Sequence, residues 1–135
     1  MGFEILDLGS QRRGWLAHVN QPSGTQVGKY RVNINDLEAV GVQAIIQAVE
    51  TCDVVVIDEI GPMELFSEKF KKTMLSTLET KLIIAVVHWK AQDKLVVATK
   101  SRQDAKVFRV TPENRDILPE EIAVEAEEFL RFSHN

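Results

Sequence analysis

The sequence predicts an α/β protein of three layers around a mostly parallel sheet. Three observations carry the prediction. Val54-Val55-Val56-Ile57 is a continuous β-branched run bounded by charge, the kind that suits a parallel strand covered on both faces. A second apolar run, residues 82–87, follows it. Between them Phe66, Phe70, Met74 and Leu78 recur at four-residue steps, which argues for a helix. Strands alternating with helices imply right-handed crossovers. No linker divides the chain, so residues 1–135 read as one domain.

The remaining elements follow in order. Residues 3–8 and 15–19 read as strands of an antiparallel N-terminal hairpin, with Gly9-Ser10-Gln11-Arg12-Arg13-Gly14 as its turn. Residues 20–30 hold Pro22, Gly24 and Gly28 and read as a loop. Asn35, followed by Asp36, Leu37 and Glu38, reads as a helix N-cap with an acidic third position. Leu37, Val40, Ala44, Ile45 and Ala48 then keep helical spacing. Cys52, just before the first buried run, reads as a small core residue. Residues 94–99 read as a short helix, with Val96-Val97 leaving a strand open. Residues 106–110 read as a third strand. Thr111-Pro112 reads as N-cap and first helical residue. Pro119 opens a final helix with Ile122, Ala126, Phe129 and Leu130 inward.

A net charge of -4 argues against a protein held by nucleic-acid phosphates, which shows a basic patch or stripe. The one dense basic cluster, Lys69, Lys71 and Lys72, reads as the solvated face of a helix. The single cysteine precludes a disulfide within the chain and fits a reducing compartment. The start carries no signal segment, and no stretch approaches the roughly 20 apolar residues of a membrane span. The expected location is the cytoplasm, with neither nucleic acid nor membrane as partner.

The sharpest local signal is Val54-Val55-Val56-Ile57-Asp58-Glu59. Two adjacent carboxylates stand at the carboxyl end of a buried strand, where open α/β sheets bind ligands. An acid there can hold Mg²⁺, a hard cation that bridges phosphate oxygens. The next acid can orient a water and take its proton. The pair divides one job, Asp58 for the metal and Glu59 for the nucleophile. On this hexapeptide alone, charges that simply mark the strand's exit to solvent explain it equally well.

The usual partner of such a pair is a Walker A loop, Gly-x-x-x-x-Gly-Lys-Ser/Thr. The nearest string is Gly24-Thr25-Gln26-Val27-Gly28-Lys29-Tyr30. It has too few residues between its glycines, and Tyr30 stands where a metal-binding hydroxyl belongs. No buried strand leads into it and no helix starts at Lys29. Gly28 then serves a turn, and Lys29 is either a phosphate contact or a surface lysine.

Several segments together resemble the THEP-type (cancer-related) nucleoside-triphosphatases. They are Gly2-Phe3, Val27-Gly28-Lys29-Tyr30-Arg31-Val32, Val56-Ile57-Asp58-Glu59-Ile60-Gly61-Pro62-Met63-Glu64-Leu65-Phe66, and Val107-Phe108-Arg109-Val110-Thr111-Pro112-Glu113-Asn114-Arg115-Asp116. They lie in family order over almost the whole chain. The resemblance implies a RecA-like P-loop fold and Mg²⁺-dependent hydrolysis of ATP, GTP and other nucleoside triphosphates, with broad base selectivity. Asp58 and Glu59 match the Walker B pair. Glu64 matches a further acid of that motif, there to order the loop or as a helix-start charge. Asn114 and Arg115 match a C-terminal motif near base or phosphates, with Arg115 as an ion-pair partner the alternative. Family members begin with a strand, a Walker A loop and a helix, a unit of roughly 30–40 residues with its returning strand. The expectation is therefore a domain incomplete at its N-terminus, missing that unit and impaired in hydrolysis.

His88, at the end of the second apolar run, is a candidate to contact substrate or orient water; the alternative is a loop histidine. Trp89 stacks on a base or packs in the core. His18 and His134 have no motif around them. The rival reading is a non-catalytic scaffold. Apolar sheet surface laid bare by the missing unit would make it an interaction protein, self-association included.

Overall fold

The computed structural model describes residues 1–88 and 93–133. They fall into two compact units, Met1–Val96 and Val97–Asn135. Unit 1 opens with strands β1 (Gly2–Leu6) and β2 (Arg13–His18), then β3 (Gln26–Val27) and β4 (Tyr30–Val32). These four form an antiparallel sheet in the order β1-β2-β4-β3. The expected N-terminal hairpin is present, with Gln11 at φ 64 in its turn. The expected loop over residues 20–30 is corrected in part, because β3 and β4 form a second hairpin. Val27 pairs with Tyr30, leaving Gly28 and Lys29 as a two-residue turn with Gly28 at φ 60. A positive φ at the first central position is what a II′ turn demands and what glycine supplies.

Helix α1 (Ile34–Asp36) passes through a π-helical stretch, Leu37–Val42, into α2 (Gln43–Thr51). The N-cap is Asn33 rather than Asn35. Its side-chain oxygen accepts from the Asp36 N–H at 3.0 Å, which places the helix start two residues earlier. Asp36 is drawn away to accept from the Trp15 N–H at 2.9 Å, pinning the helix to β2.

Strand β5 (Val54–Ile60) pairs in parallel with β6 (Leu82–Val87). Between them come a 3-10 turn, Glu64–Phe66, and α3 (Glu68–Leu78). Ser67 caps α3 by accepting from the Phe70 N–H at 3.0 Å, and its hydroxyl donates to Glu38 at 2.8 Å. The core joins Leu37, Val42 and Ile45 to Val55, Ile60, Leu65, Phe70 and Met74. Leu95 and Val96, at the start of α4 (Lys94–Lys100), complete it. Residues 94–99 thus settle as helix.

Three expectations about burial need correction. The parallel pair was expected to be covered on both faces, but only the Val55 side meets the core, while Val56 is 69% and Val86 50% exposed. Helices α2 and α3 pack onto one side of the sheet, and β-branched runs do not reveal which faces are covered. Cys52 is exposed; it ends α2 in an extended conformation. The lysine cluster is only partly a solvated face, because Lys71 pairs with Asp93 at 2.7 Å.

In unit 2, residues 106–110 make no strand. Val107 and Val110 stand exposed, and β-branched residues without a ladder partner stay irregular. Thr111-Pro112 opens a run of turns rather than a helix. The helix α5 (Leu118–Ser133) follows, with Pro119 in its first turn. Ile122, Ala126 and Leu130 are half-buried along one face, whereas Phe129 is exposed. Lys106 forms an ion pair with Glu125. No helix among the described residues is long and apolar enough to cross a membrane.

Candidate functional site

Strand β5 carries Asp58 and Glu59 to its carboxyl end, both solvent-exposed. Register with β6 runs evenly from Val54↔Leu82 to Asp58↔Val86 and resumes at Ile60↔Val87. Glu59 is therefore the unpaired residue of a β-bulge. Bulges next to sites re-aim a side chain, and this one separates the two carboxylates from strict alternation. The peptide joining them is cis. Beyond the bulge, Ile60 is buried and its carbonyl accepts from the His88 N–H at 3.1 Å. That bond brings half-buried His88 to the same end of the sheet as the acids.

The chain then turns through Gly61, Pro62 and Met63 into Glu64, which is 8% exposed. Glu64 Oε1 accepts from the Gly61 N–H at 3.2 Å. A Cβ on Gly61 would stand 3.0 Å from Glu59 Oε1 and 3.3 Å from Glu64 Oε1, so the two carboxylates flank one bare α-carbon. Burial pushes the Glu64 carboxyl above the ordinary glutamate range; its own and the Gly61 backbone N–H oppose this, and the Glu59 charge adds to it.

The other predicted residues sit in different settings. Lys29 is at the exposed tip of the β3–β4 hairpin, its ammonium 5.6 Å from the centroid of the Tyr30 ring. Tyr30 in turn packs on Phe3, with ring centroids 4.9 Å apart. Asn114, in unit 2, is locked locally. Its Oδ1 accepts from the Thr111 N–H at 2.8 Å, its own N–H reaches Thr111 Oγ1 at 3.3 Å, and its amide donates to the Arg109 carbonyl at 2.9 Å. This reciprocal pair is a capping box in form, with Asn in place of the usual Glu. Arg115 is exposed beside it. Trp89 and His134 lie outside the described residues. Sequence reasoning missed Gly61 as a steric partner of Glu59; its place between two acids was the available signal. It also missed the Ser67–Glu38 bond, which couples residues 29 positions apart and leaves no local trace.

No group of three or more His, Cys, Asp or Glu side chains that would cage a metal occurs among the described residues. Mg²⁺ does not need one, since it keeps several waters and takes one or two carboxylates plus substrate phosphates. Asp58, exposed at the carboxyl end of β5, fits that donor pattern.

A family model described as NTPase matches residues 1–123. This chain belongs to that family. The nucleoside-triphosphatase THEP1 of Thermofilum pendens is 44% identical over 127 residues, 93% of this chain and 70% of the relative. The enzyme of the same name from Methanosarcina acetivorans is 45% identical over 90% of this chain and 67% of its own length. The crystal structure of THEP1 from the hyperthermophile Aquifex aeolicus superposes with a TM-score of 0.80 at 27% identity, covering 87% of this chain and 73% of that one. The α/β class with parallel and antiparallel sheets is thus the fold of an NTPase-family protein.

Proposed function

We propose that this chain provides the metal-and-water half of a nucleoside-triphosphate phosphohydrolase site. The reaction takes NTP and water to NDP and phosphate, with Mg²⁺ and broad base selectivity, in the cytoplasm. The observation that supports it best is the pair of exposed carboxylates, Asp58 and Glu59, at the carboxyl end of β5, in a chain of the NTPase family.

Asp58 would hold Mg²⁺ directly or through water. When bound, the ion neutralises charge on the β- and γ-phosphate oxygens. Glu59 orients a water for in-line attack on the γ-phosphorus and accepts its proton. Lys29 offers cationic charge to the phosphates; for Asn114 and Arg115 a role near base or phosphates rests on the resemblance alone. His88 supports the same sheet end through its bond to Ile60. The 135 residues hold no Gly-x-x-x-x-Gly-Lys-Ser/Thr string, and a loop of that kind cradles the β- and γ-phosphates. By itself this polypeptide therefore hydrolyses nucleotide slowly.

The test is phosphate release from Mg·ATP and Mg·GTP by the 135-residue chain, beside Glu59→Gln and a version extended by the corresponding upstream residues of a relative. Slow release by the chain, a rise of about 100-fold or more on extension and loss in Glu59→Gln are expected. Release that is rapid without the extension, or unaffected by Glu59→Gln, refutes this reading.

One observation favours a second reading, a scaffold that associates through its sheet. Val56 and Val86 are exposed on the same broad face of β5–β6, and bare apolar patches mark interfaces. A monomer in light scattering that binds no apolar dye would remove it.

A further inference from the structure

We propose that Glu64 is a positioning residue for Glu59 and acts through Gly61. The idea deepens the reading of Glu59 as the water-activating base and rests on it. Glu64 is held fixed by its surroundings. It starts the 3-10 turn Glu64–Phe66, its carbonyl accepts from the Ser67 N–H at 3.1 Å, and Ser67 is anchored both to α3 and to Glu38. The Leu65 N–H returns to the Gly61 carbonyl at 3.3 Å, so the loop from 61 to 67 is closed by backbone bonds. From that base the Glu64 carboxylate reaches back to the Gly61 N–H.

Gly61 is the other half of the device. Its φ is not in the left-handed region, so the turn itself does not demand glycine. The close approach is that of the two oxygens, 3.0 and 3.3 Å from where a Cβ would stand. The Glu59 carboxylate lies against the bare Gly61 α-carbon, so that a Cβ there would press it aside by a few tenths of an ångström, and Glu64 fixes the amide beside it. On the other side the bulge opposite Val86 and Val87 sets the direction in which Glu59 leaves the strand. A base held this way keeps its reach to one water; a misplacement of about 1 Å can lower a rate about 100-fold.

Three variants of the chain test this: Glu64→Gln, which keeps an acceptor oxygen at the same reach, Glu64→Met, which keeps the volume without the acceptor, and Gly61→Ala. Hydrogen exchange at the Gly61 amide and the Glu59 side-chain position in crystal structures are read first, because neither needs turnover. In Glu64→Met the Gly61 amide is expected to exchange about tenfold faster, the effect of one lost hydrogen bond, and Glu59 to leave its slot. Glu64→Gln restores both. Gly61→Ala displaces Glu59 while the 61–67 backbone bonds persist. In the extended chain, phosphate release falls in Glu64→Met and Gly61→Ala toward the level of Glu59→Gln, with Mg·ADP affinity unchanged within about twofold.

An undisturbed Gly61 amide and an unmoved Glu59 in Glu64→Met overturn the proposal, and so does an unmoved Glu59 in Gly61→Ala. If Glu64→Met fails to fold, Gly61→Ala decides alone. Failure of Glu59→Gln to lower phosphate release sinks the hydrolase reading instead, and leaves the geometric readouts standing.

Discussion

The parallel β5–β6 pair and the β3–β4 hairpin each carry a string that resembles part of a nucleotide site, and they behave oppositely. Asp58-Glu59 ends a strand whose inner face, Val55 and Ile60, is in the main core. A bulge follows at Glu59, and the buried Glu64 accepts from the Gly61 N–H just beyond it. Gly28-Lys29 has similar chemistry in its letters, a glycine and a cation, but it forms a hairpin tip. No buried strand feeds it and no helix N-terminus follows, so no row of backbone N–H groups gathers there. A glycine and a lysine bind phosphate through the backbone around them. The type of turn, rather than the pair of residues, decides whether a string becomes a site.

The largest expected effect breaks the packing side of that comparison. Phe70, 2% exposed under the parallel pair, should cost about 3–5 kcal/mol when changed to alanine. Phe3, 47% exposed on β1 against Tyr30, should cost about 1 kcal/mol or less. Urea unfolding of the two variants checks this, and equal losses would mean that the antiparallel sheet is as integral as the platform under Asp58.

A second prediction sharpens the electrostatic side. The folded Glu64 carboxyl titrates above its ordinary value because it is buried. A raised folded pKa means that the native state holds the proton more tightly than the unfolded chain. The associated stability is therefore complete below the ordinary glutamate value of the unfolded chain and declines as pH rises through the higher folded value. Glu64→Gln should flatten stability against pH in that window. A slope unchanged in the variant would show that another group titrates there. Lys71–Asp93 bounds the window from below. Hydrogen bonding to Lys71 lowers Asp93, so its contribution is present above the unfolded aspartate value and fades as pH falls through the folded one.

The smallest expected effect probes the hairpin. Lys29→Ala should weaken Mg·ATP binding by no more than about fivefold, the worth of one solvent-exposed charge pair. Calorimetry on the extended chain reads it. A loss of about 100-fold would make Lys29 part of a built phosphate cradle and would join the two regions into one site.

Much of this was legible in the residues. The β5 and β6 runs, α3 and the acids at the strand end follow from periodicity and branching, which act locally. The β3–β4 hairpin reads as a loop with Gly28 in a turn, because its strands are only two and three residues long and give little periodic signal. The failure at residues 106–110 has the same root in reverse. Their β-branched content favours a strand, but a strand exists only where a second edge offers hydrogen bonds, and that is not encoded nearby.

What the sequence determined by itself was the α/β class, the family, and that two adjacent acids, Asp58 and Glu59, stand at the carboxyl end of a strand. Each rests on short-range pattern or on a motif read within a few residues. The tertiary structure decided which face of β5 is buried, that Asn114 closes its own turn, and that Glu59 and Glu64 share the space above Gly61. These depend on distances between residues brought together by folding, and a one-dimensional pattern does not specify such distances.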